Sequence, residues 1–202
     1  HFTSRPGRGP VDPRSAAGVR DAVLARHPDA PAQAAARADR MLAGRYDILG
    51  YRDVPFGSPP AWHRDPVHGR TPPAVFWSRV PYLDPQCGDH KIIWEINRHQ
   101  HWLGLARAWQ LTSDRRYHDA FVSQLTDWMA ANPPLLGVNW ASMLELAFRS
   151  LSWLWALHFF AGAEPGGEGP WCVDLLLGLD RQLAHVEQNL SRYFSPNTHL
   201  SG

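Results

Sequence analysis

The sequence predicts an all-α fold, an incomplete (α/α) toroid of helix hairpins preceded by a Pro/Gly-rich N-terminal arm. Three observations predict it. From Lys91 onward, apolar residues recur at spacings of three and four, the period of a helix. Short Gly-, Pro- and Asn-rich punctuations cut this stretch into pieces of helix length. No apolar/polar alternation competes for the same region. Helices apolar nearly all round then alternate with amphipathic ones, as the inner and outer helices of stacked hairpins would.

Taken in order, residues 1–13 are rich in Pro, Gly and Arg and read as a loosely docked lead-in. Residues 14–43 hold two Ala/Arg-rich helical stretches, interrupted at His27-Pro28 and Ala30-Pro31. We place residues 1–44 in an N-terminal arm and residues 45–202 in the partial toroid. Residues 45–51 suit a short strand or an extended arm. Residues 53–90 are dense in Pro and Gly, and a connection that long implies a wrapping arm or a functional loop. Ile92, Ile96, His99, Leu103 and Ala106 then form one continuous helix stripe. Thr112-Ser113-Asp114 is a turn with N-cap candidates, followed by a helix carrying Tyr117, Phe121, Leu125 and Trp128. Asn132-Pro133-Pro134 stops it. A third helix is expected from about Asn139 to Ala161, buried on all sides. The fourth, about Trp171 to Tyr193, should bury Leu176, Leu179, Leu183, Val186 and Leu190, with Asp174, Arg181, Gln182, His185 and Gln188 facing away.

Composition narrows the function classes. The 202 residues carry 44% hydrophobic side chains and a formal net charge of +1, so a substantial core is available and no basic surface argues for nucleic acid or an anionic membrane. The most apolar run, Leu151 to Ala163, is too short to span a bilayer and contains His158. Two distant cysteines, Cys87 and Cys172, make neither a disulfide framework nor a metal site. Ten Trp residues are available both to a core and to pyranose faces.

Three clusters could carry chemistry. Trp94 to Trp102 (Trp-Glu-Ile-Asn-Arg-His-Gln-His-Trp) puts polar residues at the head of an apolar helix; on a regular helix Glu95, Arg98, His99 and Trp102 crowd one side. His99 and His101, two apart, would diverge on that helix, so no metal site is expected. In the second cluster, Glu145 and Arg149 stand four apart on the most apolar helix, where a buried pair is a costly way to gain stability and a cavity-lining role becomes plausible. Asn139 reads either as part of that cluster or as a helix cap. The third is Phe194-Ser195-Pro196-Asn197-Thr198-His199-Leu200 after the last helix, which alone reads as a turn.

In this order, Gly88 to Gln100, Gly137-Val138-Asn139-Trp140 with Glu145 and Arg149, and Ser195-Pro196-Asn197-Thr198-His199 resemble the heparinase II/III-like family of polysaccharide lyases over about residues 45–202. The resemblance implies a helical toroid followed by β-sandwich layers, and β-elimination on an acidic, uronic-acid polysaccharide without a cofactor. It assigns Asn197 to the substrate carboxylate, assisted by His199. It places Asn97, Arg98 and His99 along the sugar cleft, with Trp140, Glu145 and Arg149 at its floor. Arg98 would clamp a carboxylate or sulfate through its fork. The proton-transferring Tyr and a further His of such enzymes are expected beyond residue 202, as is the β-sandwich, so the 202-residue chain alone is expected to be inactive. Family analogy puts the protein in the periplasm or outside the cell. Two alternatives stand beside it: an α/α-toroid glycoside hydrolase using Glu95 and Glu145, or a non-catalytic carbohydrate-binding helical domain.

Overall fold

The computed structural model describes residues 16–161 and 169–190. It is mostly helical, with one two-stranded sheet. Helices α1 (Ala16–Arg26) and α2 (Ala30–Leu42) flank the break at His27-Pro28. Pro31 lies in the first turn of α2, where its missing N–H costs nothing. Ala30, Ala34 and Ala38 are the buried face of α2, and they join the same core as the later helices.

Strands β1 (Arg45–Ile48) and β2 (Tyr51–Pro55) form a hairpin. Leu49 and Gly50 connect them with φ of 47° and 86°, the left-handed pair that a tight primed turn requires. The Pro/Gly-rich stretch after it is a wrapping arm that penetrates the core: Phe56, Trp62 and Asp65 are buried. Asp65 organises it, accepting the backbone N–H groups of Val67, His68 and Asp89 and a bond from His68 Nδ1 at 2.6 Å. Burial pushes this carboxyl up, but those bonds overcome it and hold the group below the usual carboxylate range.

Asp89 caps α3 (His90–Asn97) by accepting the Lys91 N–H, and Asp114 caps α5 (Arg115–Ala131) in the same way. Between them lies α4 (His101–Thr112). The single helix expected from Lys91 to Ala106 is therefore two. The chain turns at Arg98-His99-Gln100, with His99 at φ 57°. His99 is still buried, as its stripe position implied, but it is fixed there by the turn and not by helix periodicity.

Next come α6 (Met143–Phe160), preceded by a 3-10 turn at Val138–Trp140, and α7 (Pro170–Gln188). Helix α4 packs on α2, α5 and α6, and α7 packs on α6 and α5, giving two helical layers. Their shared core is aromatic: Trp102, Trp153, Phe121, Phe160 and Trp128 are almost fully buried.

Two expected faces are corrected. Helix α6 is not buried all round, because Phe148, Leu151 and Leu154 face outward. On α7 the expected stripe holds in part: Leu179 and Val186 are buried and Asp174, Arg181 and Gln188 face away, but Gln182 and His185 are buried too, while Leu176 and Leu183, and Leu190 just past the helix, are exposed. Specific hydrogen bonds to α6 and to the 138–140 turn outweigh the apolar count, as described next. Among the described residues no helix is long and apolar enough to cross a membrane.

Candidate functional site

The polar residues of the first two sequence clusters converge on the turn at Val138–Trp140. Three successive carbonyls of that turn each accept a side chain from a different helix. Trp94 of α3 donates to Val138 O at 2.9 Å, Arg149 of α6 to Asn139 O at 2.9 Å, and His185 of α7 to Trp140 O at 3.2 Å. The wrapping arm enters the same knot. Trp62 O accepts from Asn97 Nδ2 and from Asn139 Nδ2, and Asn97 Oδ1 accepts from Trp128 Nε1 at 2.7 Å. A buried turn needs its carbonyls satisfied, and these side chains satisfy them.

This placement changes the reading of several candidates. Asn97, at 1% exposure, is a core amide that ties α3 to Trp62 and Trp128. His99, at 0%, accepts the Trp153 indole N–H on Nδ1 and stacks on Trp102 at 4.0 Å. Both were expected along a sugar cleft; the structure seats them inside the core, Asn97 on the buried side of α3, two residues round the helix from Glu95, and His99 in the turn at 98–100. Trp140 is 3% exposed and borders a cavity of only ≈ 30 Å³, the room of one water and far too small for a pyranose. Asn139 does not cap α6; its amide spans Trp62 O and Asn132 Oδ1.

Glu145 and Arg149, expected as an i,i+4 pair, have different direct partners. Arg149 bonds Gln182 Oε1 and Asn139 O, and its guanidinium lies 4.6 Å over the Trp128 ring. Complete burial pushes its pKa down to about 9, with Glu145 opposing, so it stays charged at neutral pH. Glu145 instead takes the fork of Arg98, through Nε–Oε2 at 2.6 Å and Nη2–Oε1 at 2.9 Å. Glu95 takes Arg98 Nη1 at 2.9 Å. The Glu145 bonds, against the cost of burial, raise the Arg98 pKa further. One cation therefore sits with two carboxylates, and the bidentate geometry expected for substrate is used within the protein. Glu95 and Glu145, the pair a hydrolase would need, are both bonded to this one guanidinium.

His99 and His101 come closer than a regular helix would allow, with ring centroids 5.9 Å apart. His99 Nδ1 is committed to Trp153 and His101 Nε2 to Gln124 Oε1. Burial holds His99 well below its ordinary pKa and pushes His101 down to about 4. Among the described residues, no group of three or more His, Cys, Asp or Glu is placed to hold a metal ion.

Asn197 and His199 lie outside the described residues. The structure does show what holds the helix leading to them. At the end of α7, Asn189 Nδ2 donates to His185 Nδ1 and to His185 O, while His185 is fixed on Trp140 O and its ring meets Trp77 at 4.9 Å. His185, Gln182, Gln124 and Trp62 are the residues the sequence reading missed as determinants. The only signal for the two on α7 was a polar residue repeated at i, i+3 on an amphipathic helix, which reads by default as a solvent face.

Comparison with known proteins agrees with this architecture. Residues 33–161 match the family described as Heparinase II/III N-terminus. Two solved structures of heparan sulfate lyase HepC from Pedobacter heparinus share the fold. One superposes with a TM-score of 0.63 at 20% identity, over 92% of this chain and 28% of that one. The other, a mutant, gives 0.62 at 18% identity, over 100% of this chain and 26% of that one. The chain thus spans about a quarter of the length of the lyase structures it resembles. No curated protein sequence matches it significantly.

Proposed function

The chain belongs to the heparinase II/III N-terminus family, and from that premise we propose that it is the helical N-terminal part of a polysaccharide lyase that cleaves uronic-acid glycans by β-elimination. The observation that carries this reading is the family match over residues 33–161, on helices that superpose on a heparan sulfate lyase. The anchored end of α7 adds to it. The described chain reaches Leu190, seven residues before Asn197, with its last turn pinned through His185 to the rigid 138–140 turn.

In the proposed reaction a base removes the proton on the carbon beside the uronate carboxylate. The released electron pair forms the new carbon–carbon double bond, and the bond to the 4-position oxygen breaks with protonation of that oxygen. Charge accumulates on the carboxylate, and the Asn197 amide supplies N–H donors to it without adding a group that titrates. His199 assists or orients that amide. Arg98, Glu145, Asn97, His99, Trp140 and Arg149 act in this scheme as the frame that fixes α3, α6 and α7 and not as groups on the sugar. A periplasmic or secreted location belongs to the same proposal, since the substrate is an extracellular polymer. The hydrolase alternative loses its footing, because its two carboxylates neutralise Arg98.

The test is Asn197→Ala in an active protein that contains this segment. The expected result is a fall in kcat of about 10²–10³-fold, the size seen for removal of one transition-state donor, with the ultraviolet absorbance of the unsaturated uronide lost in proportion. Turnover unaffected by the substitution, or products without a double bond, removes the assignment.

A further inference from the structure

His185 is buried on the last turn of α7, and both nitrogens of its ring are engaged. Nε2 lies 3.2 Å from Trp140 O. A carbonyl only accepts, so Nε2 carries the proton and donates. In the neutral ring Nδ1 is then a lone pair, and it accepts from Asn189 Nδ2 at 3.1 Å. The same Asn189 nitrogen donates to His185 O at 2.9 Å, which fixes the orientation of the amide. Every donor here meets an acceptor in one protonation state only. On protonation, Nδ1–H would face the amide N–H, donor against donor. Turning the amide over would set its oxygen against His185 O, acceptor against acceptor.

The surroundings favour the neutral ring. Trp77 and Trp140 meet it edge to face at 4.9 and 5.8 Å. On α6 the nearby cation is Arg149, which opposes a second positive charge, while the carboxylate of that helix, Glu145, is held by Arg98. The 138–140 turn offers a carbonyl and the Trp140 ring, and the 77–79 segment offers the Trp77 ring, with Arg79 exposed. Arg181, one turn earlier on α7, is exposed as well, and α5 approaches α7 through Met129 at Gly178, further back along the helix. Burial and Arg149 hold the His185 pKa below its ordinary value, against the bond to Trp140 O.

We propose that neutral His185 is a positioning residue for the lyase reaction: it joins the end of α7 to the Val138–Trp140 turn, and its protonation releases that end and sets the acid limit of turnover. The proposal rests on the lyase reading, in which the chain leaving α7 carries Asn197. The sign follows from linkage: as pH falls through the imidazole range, the released form takes up the proton that the joined form excludes.

The test compares kcat from about pH 5 to 8 in an active protein that contains this segment, over the range where circular dichroism shows the fold intact. His185→Gln supplies a donor to Trp140 O and an acceptor to Asn189 but does not titrate. In the parent, kcat should fall on the acid side, approaching about tenfold per pH unit. His185→Gln should keep kcat at pH 7.5 within about threefold and lose most of that fall. His185→Ala should lower kcat at pH 7.5 by about 10–100-fold with KM nearly unchanged. If His185→Ala fails to fold, the His185→Gln profile decides alone. A parent without an acid limb, an acid limb in His185→Gln that overlays the parent's, or a His185→Gln protein as impaired at pH 7.5 as His185→Ala overturns the proposal. Failure of the lyase reading looks different: products without a double bond at every pH, or turnover indifferent to Asn197→Ala.

Discussion

Arg98 and Arg149 meet the cost of leaving water in different ways. Arg98 keeps a quarter of its side chain exposed and takes two carboxylates, whereas Arg149 is fully buried and relies on Gln182, the Asn139 carbonyl and the Trp128 ring. Removing one partner of the first arrangement leaves Glu145, 6% exposed at its side chain, as an unpaired ion. Arg98→Met should therefore lower stability by about 2–4 kcal/mol, and the double variant Arg98→Met/Glu145→Met should recover most of it. Urea midpoints measure both; a single variant as stable as the parent would contradict the pinning role. The buried imidazoles make a second residue-level prediction. His99 and His101 have folded pKa values below the unfolded value of about 6.5, so the unfolded chain binds more protons between the two. Stability is then complete above pH 6.5 and is lost as pH falls toward about 4, the value for His101, at up to about 1.4 kcal/mol per pH unit for each group. His101→Gln should flatten that slope in denaturation curves at pH 7.5, 6 and 5.

At the scale of elements, close approach decides which substitutions matter. Gly178 on α7 faces Trp153 on α6, and a Cβ there would lie 2.6 Å from the indole. Gly178→Ala should force the two helices apart at about 1–3 kcal/mol, lowering Tm by about 3–10 °C at this chain length. A Tm within a degree of the parent would show that Trp153 yields freely. The α3–α4 break is the second element-level determinant. Local sequence from Lys91 to Ala106 satisfies helix periodicity throughout, so nothing local announces a turn at 98–100. It is fixed by non-local bonds: His99 on Trp153 and Asn97 on Trp62 O and Trp128. The capped start of α5, by contrast, was legible, because an Asp at the N-cap acts within three residues.

Over the whole molecule, the outward faces of α6 and α7 carry Phe148, Leu151, Leu154, Val173, Leu176, Leu177 and Leu183 on two adjacent helices. Apolar stripes shared by packed helices leave water poorly satisfied and drive association. The 202-residue chain should show concentration-dependent self-association in sedimentation velocity, reduced by Leu151→Glu with Leu177→Glu. A monodisperse monomer across the micromolar range would argue that this face is tolerated in water.

The sequence by itself determined the helical class, the two N-terminal helices, the capped start of α5 and the family. These rest on periodicity, caps and local breakers, which act over three or four residues. Only the tertiary structure decided which polar side chains face inward. Asn97, His99, Gln182 and His185 are buried because each meets a specific distant partner, so the gain from one hydrogen bond exceeds the cost of desolvating the group. That exchange depends on residues up to 54 positions away, and no local pattern carries it.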